Sequence, residues 1–294
     1  MELRHLRYFV AVAEELNFTR AAARLGIGQP PLSQQIRDLE RELSVTLFVR
    51  RPQGAELTPA GAVFLHEARS VLEMAQHART SAVLAQRGQI GHLRLGYASS
   101  VALHPLVSNT IRRFRGLWPE VVLAVSEGNS RELIERLHTG RADAVFVRPG
   151  PADPPGTRLL RLPGEPMRIV LPAEHPLAAC SEIPLATLAM EPFILFARAV
   201  GLSLFDAIVA ACREAGFEPS VVQEAPQISS VVNLVAAGLG ISVVPESITQ
   251  LRLHGVVYRP IRAPAPLASI GLAAAAEKPS VLVDHLFSLM DPET

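Results

Sequence analysis

Cysteine, lysine and net charge are all scarce in this chain. Its two cysteines, Cys180 and Cys212, lie far apart and offer no metal-ligand spacing, so both read as ordinary small buried side chains. Of 28 basic residues only Lys278 is lysine, and 28 acids balance them to a net charge of zero, which excludes a bulk polybasic or polyacidic tail. No apolar run is long enough to span a bilayer, and Arg4 and Arg7 interrupt the stretch where a secretory apolar region would lie. The expectation is a cytoplasmic protein with no membrane partner. The nine histidines are scattered without an HExxH pair, and there is no nucleophile elbow. Gly238-Leu239-Gly240 follows a helical stretch rather than a strand, so it reads as a helix stop and not as a dinucleotide fingerprint. No catalytic residue, metal or cofactor is expected.

What is present starts at residues 17–43, NFTRAAARLGIGQPPLSQQIRDLEREL. Leu32, Ile36, Leu39 and Leu43 recur at spacings of 4, 3 and 4, one apolar stripe of a helix. Pro30 and Pro31 suit its first turn, where a missing N–H costs least, and Gln29 precedes them. Ser33, Gln34, Arg37 and Arg41 fall about 100–200° around from the stripe at 100° per residue. Short amides, a hydroxyl and arginines on the free face of a helix are what reading the DNA major groove requires. A small-residue helix, about 19–25, precedes it across a turn in which Gly26 and Gly28 flank Ile27. A first helix spans about 3–16. Residues 45–49, 50–54 and 55–58 read as a strand, a basic turn with Arg50 and Arg51, and a return strand, the wing of a winged helix-turn-helix. The competing reading is a three-helix bundle with a solvated polar face. Residues 1–58 carry eight arginines against seven acids, a net of +1, so DNA affinity has to come from arginine placement.

Thr58 and Pro59 then cap and open a helix that meets no strong breaker before Gly88. Phe64, Ala68, Val71, Ala75, Ala78, Ala82 and Ala85 alternate at 4 and 3, a heptad seam that suits pairing with a second copy. The alternative is a helix packed on its own domain. From Gly91 strands alternate with amphipathic helices, broken by the Pro/Gly-rich run 149–156, and a second set starts at Met167. Two α/β lobes joined by crossing segments near 161–167 and 261–268 would enclose a cleft. The expected domains are 1–58 (winged helix-turn-helix, essentially all-α), 59–88 (linker and dimerisation helix) and 89–294 (α/β effector domain). Lobe I covers about 89–161 and 268–294, lobe II about 162–267.

The segments AAARLGIGQPPLSQQIRDLE and LFVRRPQGAELTPAG, the long linker helix and VAAGLGISVVP at 235–245 make the whole chain resemble the LysR-type transcriptional regulators. The opening MELRHLRYFVAVAEE resembles especially the branch that answers to benzoate, muconate or chlorocatechol breakdown products. The resemblance implies an effector domain like periplasmic binding proteins and homodimers joined into a homotetramer. It also implies promoter DNA as partner, activator-type regulation with RNA polymerase as a further partner, and a small carboxylate effector, aromatic or dicarboxylic.

The DNA-contact candidates are Gln29, Ser33, Gln34 and Arg37 near base edges, with Pro30 and Pro31 shaping the helix entry and Arg50 and Arg51 on phosphate or in the minor groove. Gln34 stands where similar proteins often carry arginine. Polar residues at expected helix starts, Ser99, Ser100, Asn129, Ser203 and Gln227, would aim free N–H groups at the cleft; each is equally readable as a plain N-cap. The resemblance places Ser99, Ser100 and Asn129 where related proteins hold an effector carboxylate, Asn129 standing where that branch often has threonine. Arg148 binds an anion or pairs with an acid, and Phe196 and Leu204 line the apolar part. Two rival readings remain: an α/β enzyme acting on a small carboxylic acid, and a DNA-architectural protein that needs no effector.

Overall fold

The computed structural model describes residues 1–52, 54–277 and 280–290; Gln53 of the expected wing turn and Lys278 lie outside the described residues. The chain divides into two compact units, Met1–Ala85 and Gln86–Thr294. Among the described residues no helix is long and apolar enough to cross a membrane.

The first unit opens with α1 (Leu3–Glu15), α2 (Phe18–Leu25) and α3 (Gln29–Leu43). Asn17 caps α2, its Oδ1 accepting the N–H groups of Thr19 and Arg20 at 2.9 and 3.1 Å. Gly26 ends α2 at φ +67°, the left-handed conformation that glycine adopts without a Cβ penalty. Gly28 is extended (φ −69°, ψ 149°) and is the residue before α3, so only the first of the two turn glycines needs positive φ. Gln29 is itself the first residue of α3. Leu32, Ile36 and Leu39 are buried as the stripe predicts, against Phe9, Val12 and Leu47 in one core.

The wing is β1 (Phe48–Arg51) paired antiparallel with β2 (Gly54–Leu57). Arg50 pairs with Ala55 and Arg51 with Gly54, so both arginines sit in the strand, not in the turn expected to hold them. Glu40 joins α3 to the wing: its Oε1 accepts the N–H groups of Leu47 and Phe48 at 2.7 and 3.1 Å. Phe9 packs its ring on Phe48 and Phe64 at 5.1 and 4.9 Å. Helix α4 (Pro59–Gln86) begins where Thr58 Oγ1 accepts the Gly61 N–H at 2.9 Å. At about 1.5 Å per residue its 28 residues reach about 42 Å. Gly61 and Ala68 are buried on it, whereas Val71, Met74 and Val83 are exposed.

In the second unit the strands are β3 (Gly91–Ala98), β4 (Val121–Gly128), β5 (Ala144–Val147), β6 (Thr157–Pro172), β7 (Pro192–Phe196), β8 (Ser220–Ala225), β9 (Ser242–Pro245), β10 (Val256–Pro260) and β11 (Leu267–Ala275). The helices are α5 (Pro105–Leu117), α6 (Ser130–His138), α7 (Leu202–Glu214), α8 (Ile228–Ala236) and α9 (Val281–Ser288). A 3-10 turn at Ser99–Val101 precedes α5.

Strand β6 is the main departure from expectation. The sequence predicts a break followed by a fresh strand at Met167; instead one 16-residue strand runs from Thr157 to Pro172. Its first part pairs with β11 from Thr157↔Ala275 to Pro166↔Leu267, and its last part pairs with β10 and β9. The strand order is β10-β6-β11-β5-β3-β4 with β9 also on β6, so two sheets share one strand. Lobe I has β3, β4 and β5 parallel, over a core containing Leu93, Leu95, Phe114, Phe146 and Leu286. Lobe II has a second core around Ile169, Leu171, Phe193, Leu195 and Val243. There the parallel pair β7–β8 joins β9 through the Ile194 N–H on the Ile241 carbonyl at 2.8 Å. Cys212 is buried in this core, its thiol pushed up to about 11 by burial, but Cys180 is exposed, contrary to expectation.

Candidate functional site

On α3 the polar face is organised as a chain of side-chain bonds. Arg37 Nη2 donates to Gln34 Oε1 at 2.7 Å, Gln34 Nε2 to Asp38 Oδ1 at 2.9 Å, and Arg41 Nη1 to the same Asp38 oxygen at 2.9 Å. These i,i+3 and i,i+4 links hold long side chains in one arrangement before any DNA is met. Pro30, Pro31, Gln34 and Arg37 are exposed and Gln29 is half-buried.

Ser33 differs from expectation: it is 3% exposed and accepts the Gln29 Nε2–H at 2.8 Å. It lies three residues before the core residue Ile36 and one after Leu32, so it borders the stripe on its buried side. Ser33 therefore positions Gln29 and does not itself face outward. In the wing, Arg50 places its guanidinium 4.9 Å from the centre of the Phe18 ring, while Arg51 is paired with Glu56 at 3.1 Å. Arg50 is thus the wing arginine without an acid partner among the described residues. Glu14 accepts Arg24 at 2.8 Å and Arg69 at 2.9 Å, and these two hydrogen bonds, Arg69's first, hold its carboxyl below the usual range.

A cleft of about 900 Å³ opens between the lobes of the second unit, and all eight residues singled out there from the sequence line it. Ser99 and Ser100 come from the 3-10 turn after β3, and Asn129 from the start of α6. Phe196 ends β7, Ser203 and Leu204 open α7, and Gln227 immediately precedes α8. Asn129 is also a true N-cap: its Oδ1 accepts the Glu132 N–H at 2.9 Å, and the Glu132 carboxylate closes the box. The first amides of α6, at Ser130 and Arg131, have no intrahelical partner by position. Ser203 is less free than its place suggests, because its hydroxyl donates to the Pro149 carbonyl at 2.9 Å, as does Ser269 at 2.7 Å.

Arg148 is a correction. The sequence left it as an anion site or a partner of an acid, and it is the partner of an acid. Its side chain is 2% exposed, and Nη2 donates to Glu165 Oε1 at 2.5 Å and to the Ser100 carbonyl at 2.7 Å. Nη1 reaches the Ala268 and Ser269 carbonyls at 3.3 and 3.1 Å. Burial pushes its guanidinium pKa down and Glu165 opposes that shift. Glu165 also accepts the Ser247 N–H at 2.6 Å and its hydroxyl at 3.0 Å, so the pair ties the end of β5 to lobe II through β6. His104 caps α5, its Nδ1 accepting the Leu106 N–H at 3.2 Å. Burial lowers its pKa first, with Glu165 raising and Arg148 lowering it further.

Sequence reasoning missed Glu165, Arg131, Arg161 and Asp206. The last three line the cleft, and nothing in local periodicity distinguishes them from solvated surface charges. Among the described residues no group of His, Cys, Asp and Glu is arranged to hold a metal.

Residues 3–62 match the model of the bacterial regulatory helix-turn-helix protein, lysR family, and residues 86–292 that of the LysR substrate binding domain. The chain is 41% identical to the HTH-type transcriptional regulator YnfL of Escherichia coli K12, over 89% of this chain and 88% of that one. It is 39% identical to the HTH-type transcriptional regulator BudR of Raoultella terrigena, over 93% and 94%. Full-length CbnR in complex with its target DNA superposes with a TM-score of 0.87 at 28% identity, covering 99% of this chain and 98% of that one.

Proposed function

The chain belongs to the LysR family of bacterial helix-turn-helix transcriptional regulators, and from that premise we propose how its parts divide the work. It is a DNA-binding regulator with an effector-binding domain. In our reading Gln29, Gln34 and Arg37 meet base edges in the major groove, with Pro30 and Pro31 setting the helix entry. Arg50, aided by Arg51, holds the phosphate backbone. Helix α4 pairs two copies through the seam that includes Val71, and two such dimers make the tetramer that contacts promoter DNA. The effector is a small organic acid, aromatic or dicarboxylic, held between the lobes by Ser99, Ser100 and Asn129, with Phe196 and Leu204 on its apolar body and Gln227 at its far end.

The observation that carries this reading is the cleft: hydroxyls and the start of α6 on one wall face an apolar wall built by β7 and α7. A ligand acts by binding one arrangement of the lobes better than another, since equal affinity for both shifts nothing. Calorimetric titration with small aromatic and dicarboxylic acids, followed by promoter footprinting with and without a binding acid, tests it. The expected result is saturable binding weakened by Ser99→Ala, with an altered footprint. An unchanged footprint and unchanged promoter output at saturation overturn the regulatory role.

A further inference from the structure

Asp38 brings a negative charge to the polar face of α3. Of the other two acids of that helix, Glu40 accepts the Leu47 and Phe48 N–H groups and Glu42 accepts the Met1 amino group. Asp38 Oδ1 instead accepts from Gln34 Nε2 and from Arg41 Nη1, each at 2.9 Å. Gln34 Oε1 in turn accepts from Arg37 Nη2 at 2.7 Å. A carboxylate on a DNA-facing surface opposes binding to every sequence alike, because it meets phosphates of its own sign.

What Asp38 holds is the orientation of one amide. The two ends of a glutamine amide have the same shape and differ in whether they donate or accept, and a free side chain exchanges them by rotating its last bond. Arginine only donates and a carboxylate only accepts. Gln34 is bonded to one of each, so turning its amide over would set Nε2 against an Arg37 donor and Oε1 against the Asp38 oxygen. One orientation is therefore allowed. In it Gln34 keeps one amide N–H and one oxygen lone pair without a protein partner among the described residues. That donor–acceptor pair fits the N7 and the N6 amino group of adenine in the major groove, whereas guanine offers two acceptors there. The same carboxylate engages Arg41, whose side chain is 74% exposed, in competition with phosphate.

We propose that Asp38 is a positioning residue for base reading. It fixes the Gln34 amide so that Gln34 selects adenine, and it withholds Arg41 from the phosphate backbone, giving up general DNA affinity for sequence preference. This rests on the assignment of Gln34 to base edges, and deepens it by naming the base and the side chain that enforces the choice.

The test uses the full-length protein. Preferred sites are selected from a random duplex library. Binding to the selected duplex, to its single-base-pair replacements and to a scrambled duplex is then followed by fluorescence anisotropy at several salt concentrations. The parent is expected to prefer one A·T pair by about tenfold, a preference flattened in Gln34→Ala. Asp38→Asn, whose own amide can present either end, is expected to lower that preference by about threefold or more. The same variant is expected to bind the scrambled duplex about threefold or more tightly, with a salt slope steeper by about 1 as Arg41 reaches phosphate. A merely structural role would weaken binding to both duplexes together, and that result overturns the inference. An adenine preference left intact by Asp38→Asn also overturns it, as does a pair lost in Gln34→Ala that is G·C. If Gln34→Ala changes no base preference, the assignment of Gln34 to base edges fails and this inference with it.

Discussion

Arg148 Nη2 lies 2.5 Å from Glu165 Oε1 with both side chains buried, and the acid also accepts the N–H and the hydroxyl of Ser247. Arg148 stands just beyond β5, and Glu165 lies inside β6. Their pairing leaves Arg148 Nε as a buried donor without a partner among the described residues. A buried pair adds little relative to apolar packing, but removing one member strands the other's charge, at a cost of about 3–5 kcal/mol.

Glu165→Ala is expected to destabilise the second unit by about that amount, and Glu165→Gln by less, since the amide still accepts from Ser247. Trp118, the chain's one tryptophan, stacks on His285 with ring centroids 4.4 Å apart, so its fluorescence during urea unfolding reports on this unit. A midpoint unchanged in Glu165→Ala contradicts the account.

His104 carries a pH dependence whose sign follows from its lowered pKa. Folding disfavours the protonated ring, so the full stability is present above the ordinary value of 6.5 and is lost as pH falls from there through the folded value. His104→Asn keeps an acceptor for the Leu106 N–H but does not titrate in this range. Thermal melts followed through Trp118 from pH 7.5 down to about 5 are expected to drop less steeply in the variant than in the parent. Parallel slopes would show that other groups carry the effect.

In the DNA-binding unit, Arg50→Ala is expected to weaken binding almost equally on all sequences and to lower the salt slope by about 1. Gln29→Ala is expected to change base preference instead, and Ser33→Ala to act in the same sense by releasing Gln29. Binding isotherms on mutated operators at several salt concentrations separate the two; identical, sequence-independent losses would refute the division.

Gly61 lies so close to the wing connection that a Cβ there would stand 2.2 Å from the Leu47 carbonyl oxygen, and that carbonyl already accepts the Thr58 N–H at 3.0 Å. Gly61→Ala is therefore expected to destabilise the first unit by about 1–3 kcal/mol and to weaken DNA binding through displacement of the wing. Circular dichroism melts and operator binding measured on the same sample check this. An alanine variant as stable as the parent would mean that the α4 start shifts freely.

The helix-turn-helix was legible because its signals are local. Leu32, Ile36 and Leu39 share one face by spacing alone, and the start of α3 carries two adjacent prolines. Ser33 was misplaced for the same kind of reason: a short hydroxyl at the edge of the stripe is assigned outward by polarity, although its position beside Leu32 and three before Ile36 already leans inward. The start of β6 was missed because residues 161–167 read as a segment crossing between the lobes. In the fold Pro163 and Gly164 fall between Leu162 and Glu165, where the β6–β11 register shifts between Ala268 and Ile270, an irregularity that accommodates residues the ladder would otherwise reject, while Pro166 pairs in register with Leu267.

By itself the amino-acid order determined the DNA-reading helix, the long α4, the alternation of strands and helices, and the membership of eight residues in one polar and apolar set. Those follow from periodicity, capping and turn chemistry, which act over a few residues. Which charges remain free was decided only by the tertiary structure. Arg148 met Glu165, 17 positions away, Arg51 met Glu56 across a hairpin, and Arg131 met no acid at all among the described residues. Charge pairing depends on distances through space, and one strand shared between two sheets sets those distances in the cleft.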